Sequence, residues 1–109
     1  MEQKRLLVIS AHAVDFIWRC GGTIAQYAKA GHTVKIIDLT FGSRGESDQV
    51  WRENPSISEP EVRIRRRMEA TEAAAILGAE IEFYEWEGHL PELSRISIQT
   101  LYSPTQRIL

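Results

Sequence analysis

The 109-residue chain has a single cysteine, Cys20, so no internal disulfide can form and a secreted, disulfide-stapled scaffold is excluded. It also lacks any long apolar run. The longest near the start, Leu6 to Ile9, is too short for a signal-peptide core or a membrane span. Neither sign of charge dominates, since 13 Lys+Arg against 15 Asp+Glu leave a net charge of −2. That balance argues against a nucleic-acid coat or a membrane-surface binder. No internal repeat or low-complexity tract is present. What remains is an ordinary globular composition, 43% hydrophobic and 26% charged. The length fits one domain with a small core. The cytoplasm is the expected location, with neither nucleic acid nor membrane as a partner.

Two short runs rich in branched residues, Arg5 to Ser10 and Thr33 to Leu39, read as buried strands. Between them Ile24, Tyr27 and Ala28 recur at helical spacing. The pattern predicts a helix from Thr23 to Ala30, stopped by Gly31. Strand, helix and strand make a βαβ unit, with parallel strands and a right-handed crossover. Phe41 to Pro60, with Gly42, Gly45, Pro55 and Pro60, reads as one long loop. A second helix is expected over Glu61 to Leu77, with Ala70, Ala73, Ala74 and Leu77 as its apolar stripe and Gly78 as its stop. Glu80 to Tyr84 alternates and reads as a third strand. Ser94 to Leu109 has weak periodicity and Pro104, which predicts a low-order tail.

In an open parallel sheet, ligands bind at the carboxyl ends of the strands. The loops expected there carry His12 and Asp15 after the first strand, and Arg44 and Glu46 after the second. Imidazole and carboxylate are both zinc ligands, and a catalytic zinc takes three protein ligands and keeps a position open. The plainer alternative is that His12 closes a strand end and Asp15 caps the next helix. Gly21-Gly22 before a helix could cradle phosphate, but the G-x-G-x-x-G spacing is missing. Close packing of the helix on the sheet is the better account. Glu46, in a Gly-flanked loop, is a general-base candidate or a solvated carboxylate. Arg63, Arg65, Arg66 and Arg67 sit among Glu59, Glu61, Glu69 and Glu72, which predicts a solvated helix face with i,i+4 pairs. One of these arginines could still meet an anionic substrate. Trp18, Trp51 and Trp86 read as core or loop anchors and Cys20 as a small buried hydrophobe. His32 should favour the helix end that precedes it electrostatically. His89 reads as an exposed loop residue.

Val8-Ile9-Ser10-Ala11-His12-Ala13-Val14-Asp15, followed by Gly21-Gly22-Thr23, resembles the opening of the PIG-L/LmbE family, whose motif reads A-H-P-D-D-E with a G-G at the first helix. Gly31-His32-x-Val34 agrees with the lead into the second strand. Thr40-x-Gly42-x-Arg44-Gly45-Glu46 resembles the family's T-x-G-x-x-G-E loop. Arg66-x-x-Glu69-Ala70-x-x-Ala73-Ala74-x-x-Leu77-Gly78 resembles its long helix. The set covers Leu6 to Leu90. The resemblance implies a Rossmann-like three-layer α/β sandwich with a parallel sheet. It places the N-terminal part of that domain in 1–93 and an unmatched tail in 94–109. It implies zinc (Zn2+) as cofactor, His12 and Asp15 as metal ligands, and Arg66 facing the substrate. It further implies more chain downstream, carrying a third ligand from an H-x-x-H-like motif, so that the sequence reads as a fragment.

The departures from the motif are informative. The general-base acid of the family's N-deacetylases falls at Val14, which cannot move a proton. The proline becomes Ala13 and the following acid Phe16. Asp15-Phe16-Ile17-Trp18-Arg19-Cys20-Gly21-Gly22 looks like a different branch, the 4-oxalomesaconate hydratases of gallate and protocatechuate catabolism. These add water across an activated C=C. The resemblance then implies Glu46 as the base, with Arg44 and Arg66 holding carboxylates of a small anionic substrate. Three readings follow: the hydratase, a zinc N-deacetylase of N-acetylglucosaminyl conjugates, and an inactive remnant. Homo-oligomer formation is left open.

Overall fold

The computed structural model describes residues 2–43 and 47–86 of the chain, the last two without their side chains. Three strands, β1 (Arg5–Ser10), β2 (Thr33–Thr40) and β3 (Glu80–Trp86), form a parallel sheet in the order β1-β2-β3. Helix α1 (Asp15–Lys29) crosses from β1 to β2, and α3 (Glu59–Leu77) leads into β3. Two right-handed crossovers in one direction place both helices on one face of the sheet, and α1 and α3 share a single core there. The chain is therefore α/β with a parallel sheet, as the periodicity predicts. The described residues supply the sheet and one helical layer.

Residue chemistry accounts for this packing. Val34 and Ile36 of β2 meet Phe16 and Ile24 of α1 and Ala70 and Ala74 of α3, all buried. The alanines let α3 approach closely. Burying Phe16 and Ile24 stabilises by roughly 1.5–3 kcal/mol each. Ile37 and Leu39 are buried on the opposite face, so β2 is buried on both sides, as its near-continuous apolar run requires. Both long helices stop at a left-handed glycine. Gly31 (φ 92°) follows α1 and Gly78 (φ 83°) follows α3. The next residues, His32 and Ala79, donate back to Tyr27 O and Ala74 O. Ser58 opens α3 with a reciprocal cap, accepting from Glu61 N while Glu61 accepts from Ser58 N.

The structure corrects several expectations. The first helix starts at Asp15, not Thr23. Its first turn precedes a kink at Cys20 (φ −149°, ψ 21°), anchored by buried Phe16. The Gly21-Gly22 pair that suggested a start lies just past that kink. A Cβ on Gly21 would meet ordinary contacts at 3.8 and 3.9 Å and one on Gly22 would meet none, so close packing does not explain them. The 41–60 stretch is not one loop, because Asp48–Glu53 forms a short helix, α2, with an Arg52–Asp48 pair at 3.1 Å. The second long helix begins two residues early, with Pro60 tolerated in its first turn. Trp18 is 84% exposed and anchors nothing among the described residues. Trp51 does anchor, donating Nε1–H to Ser43 O at 2.6 Å. His32 acts structurally: its Nδ1 accepts from Lys4 N at 3.0 Å, and its ring tilts against Tyr27. Among the described residues no helix is long and apolar enough to cross a membrane.

Candidate metal and substrate site

Because β1 and β2 are parallel, the segments leaving their carboxyl ends lie side by side. They are clamped together. Thr40 donates both its Oγ1–H (2.7 Å) and its N–H (3.1 Å) to Ala11 O. Ser10 Oγ donates to His12 O at 3.0 Å. The residues 12–15 form a tight turn closed by Asp15 N donating to His12 O at 3.2 Å. Its inner residues face the core: Ala13 is fully buried and Val14 packs against the apolar cluster. Its outer residues are His12 and Asp15. Asp15 Oδ2 accepts from His12 N at 3.1 Å and lies 3.2 Å from His12 Nδ1. Asp15 thus does not cap α1 by its side chain. Val14 occupies the cap position without a side-chain bond.

The pair suits a divalent metal in chemistry and in access. One imidazole and one carboxylate stand within 3.2 Å, and their side chains remain 19% and 37% exposed. Among the described residues no third His, Cys, Asp or Glu joins them. A cleft of about 240 Å³ opens beside Asp15, lined also by Ser10, Phe16, Arg19 and Cys20.

Arg66 reaches the same end of the sheet from α3. Its side chain is only 11% exposed, with Nε 3.5 Å from Phe41 O and Nη1 donating to Glu69 Oε2 at 2.8 Å. The arginine run is therefore not one solvated face. Arg63 pairs with Glu59 at 2.9 Å, Arg67 lies 4.7 Å over the Phe83 ring, and Arg66 turns inward. Arg44 and Glu46 lie outside the described residues, as do His89 and the 94–109 stretch. The residues flanking them, Ser43 and Ser47, are buried. Ser47 Oγ donates to Gly42 O at 2.7 Å and Ser43 Oγ to Glu59 Oε1 at 3.1 Å.

One residue of this neighbourhood escaped the sequence reading. Asp38 is fully buried in β2, in register between Ser10 of β1 and Phe83 of β3, and neither carboxyl oxygen has a hydrogen-bond partner among the described residues. The β2–β3 register shifts immediately after it. Burial pushes its carboxyl up to about 8. The negative charge of Asp15 adds to the rise and Arg66 offsets part of it. The signal was available, since Asp38 interrupts the apolar run Ile36-Ile37-Asp38-Leu39.

Comparison with known proteins identifies relatives of this sequence and fold. The model of the PIG-L family (GlcNAc-PI de-N-acetylase) matches residues 7–101 and so ends inside the 94–109 stretch. Over 83 residues the chain is 48% identical to the 4-oxalmesaconate hydratase of Pseudomonas putida, covering 76% of this chain and 32% of that protein. Over 80 residues it is 35% identical to a 1D-myo-inositol 2-acetamido-2-deoxy-alpha-D-glucopyranoside deacetylase of Rhodococcus jostii, covering 72% and 27%. The crystal structure of GalB, the 4-carboxy-2-hydroxymuconate hydratase of P. putida, matches with a TM-score of 0.80 at 44% identity, over 92% of this chain and 40% of that one. The N,N'-diacetylchitobiose deacetylase of Pyrococcus horikoshii matches at 0.67 and 30%, over 79% and 30%. The chain spans a third or less of the length of these curated relatives. By the family match and the shared fold, the chain belongs to the PIG-L family.

Proposed function

We propose that this chain carries the first part of the active site of a zinc-dependent hydratase, acting on a 4-oxalomesaconate-type unsaturated polycarboxylate. The observation that carries this reading is the His12–Asp15 pair at 3.2 Å beside Val14, which packs half-buried against the core at the position where the N-deacetylases of the family hold an acid. The higher identity to the P. putida hydratase than to the R. jostii deacetylase supports it. His12 and Asp15 would hold the metal. When bound, zinc would supply the positive charge that polarises keto, enol or carboxylate oxygens of the substrate.

The chain's own residues take the other roles. Arg66 exchanges Glu69 for a substrate carboxylate, a bidentate acceptor of the same kind. Arg44 holds a second carboxylate. Glu46 removes a proton from water while the water oxygen bonds to one alkene carbon, and the neighbouring carbon takes up a proton. Such hydration needs no second acid beside the metal, so Val14 is compatible with it. We assign 1–93 to the family's α/β domain.

The test is the loss of ultraviolet absorbance of the conjugated substrate with zinc-loaded protein, run beside an acetate-release assay on N-acetylglucosaminyl substrates. Hydration is expected, abolished by His12→Ala or Asp15→Ala and strongly slowed by Glu46→Gln. Acetate release without hydration would move the protein to the deacetylase branch. Neither activity, together with no zinc uptake, would identify a remnant.

A further inference from the structure

Asp38 is the anomaly of the described residues. Buried carboxylates are normally hydrogen-bonded, and a buried polar group without a partner calls for an explanation. Asp38 has no partner on either oxygen and no exposure. It lies on the same side of β2 as core residue Ile36, the side covered by α3, and near the strand end where the candidate site stands. Arg66 reaches this end of the sheet, close enough for its charge to act on Asp38. Yet the guanidinium spends its one short bond on Glu69, which is half exposed, and touches Phe41 O only at 3.5 Å. A nearly buried arginine thus bonds a half-exposed carboxylate while a buried acid toward the same end of the sheet has no hydrogen-bond partner among the described residues.

We propose that Asp38 is a positioning residue for Arg66: when an anionic substrate draws the guanidinium away from Glu69, Asp38 receives it from beneath and fixes the face it presents to the substrate carboxylate. A guanidinium has five donors in a rigid fork and can serve a buried acceptor and a ligand carboxylate together. The proposal rests on Arg66 being a substrate-binding residue, and it adds what holds that residue in place.

The test is a double-mutant cycle on the full chain in metal-free buffer, with the tricarboxylate propane-1,2,3-tricarboxylate as probe and calorimetric affinity as readout. Arg66→Gln should weaken binding at least about tenfold, and Asp38→Asn about tenfold, with Asp38→Asn adding nothing in the Arg66→Gln background. Full affinity in Asp38→Asn, or the same loss in both backgrounds, overturns the positioning role while leaving Arg66 as a ligand residue. Full affinity in Arg66→Gln overturns the reading of Arg66 itself and this proposal with it. As a second variant, Asp38→Leu removes the acceptor without leaving a buried polar atom. The Arg66 Nε–H resonance then decides: it should become slow-exchanging with probe in the unaltered chain and stay fast in the variant. Equal protection in both refutes the role.

Discussion

Replacing Asp38 by Asn should stabilise the chain, and the gain should grow with pH. Asp38 has its carboxyl raised from 3.8 to about 8, chiefly by burial. Between those values the unfolded chain has released a proton that the folded chain keeps. Folding therefore becomes less favourable as pH rises, by about 1.4 kcal/mol per unit, and stops worsening above about 8. The window of about four units sets an upper limit near 6 kcal/mol, a large share of the roughly 5–15 kcal/mol that holds a domain together. Asn keeps the shape and leaves a neutral polar group in the same place, so the desolvation of a neutral group cancels in the comparison. Urea unfolding of both forms from pH 4 to 9 measures the difference. The two stabilities should nearly coincide at pH 4, diverge through neutrality and run parallel above pH 8. A gap that stays constant from pH 5 to 8 would refute the argument, because it would mean that the carboxylate finds a partner in solution.

Other perturbations test the frame around the site. Gly78→Ala places a Cβ 3.0 Å from Ala28 Cβ at a residue with φ 83°, and thermal unfolding should show a loss of about 1–2 kcal/mol. Trp51→Phe removes the donor to Ser43 O. It should cost about 1 kcal/mol and raise amide exchange at Ser43 and Ser47 without changing the rest of the sheet. Val14→Asp puts a good cap at the start of α1 and removes an apolar contact. These terms are each of about 1 kcal/mol and opposed, so stability should hold while acetate release from an N-acetylglucosaminyl substrate becomes detectable in zinc-loaded protein.

Much of the frame was readable from residue pattern, and the failures have physical causes. The strands β1 and β2 are short branched runs in a parallel sheet, where the apolar pattern and the burial coincide. Helix α3 announces itself by the stripe through Ala70, Ala74 and Leu77 and by Gly78. The start of α1 was hidden because its first turn, Asp15 to Arg19, buries only Phe16 before the kink at Cys20, too few residues to set up a period. Helix α2 buries none of its residues, so no apolar stripe marks it. Within the site, His12 and Asp15 are neighbours in a turn, and local spacing sufficed to place them together. The inward turn of Arg66 and the isolation of Asp38 depend on how α3 lies across β2. That is a tertiary fact, and no spacing within either segment contains it.

Position 14 is where the geometry bears most directly on the chemistry. The turn from His12 to Asp15 has two faces. Its backbone bond from Asp15 N to His12 O fixes which residues point outward, and the outward pair is the metal-binding candidate. Of the inner pair, Ala13 belongs to the core and Val14, half-buried, packs against it. A deacetylase needs a carboxylate next to the metal to take a proton from water, and an acid at 14 would have to leave the core face to do so. With Val14 the turn is instead secured by apolar contact, and the candidate metal pair stands on a firmer base without that proton acceptor. The proposed hydratase reading therefore takes its base from outside this turn. Ser43 and Ser47, which bracket Glu46 in the sequence, donate to Glu59 Oε1 and to Gly42 O. In the hydratase reading proposed above, the base comes from a different loop of the sequence than the two metal ligands, which suits adding water across a C=C rather than cleaving an amide.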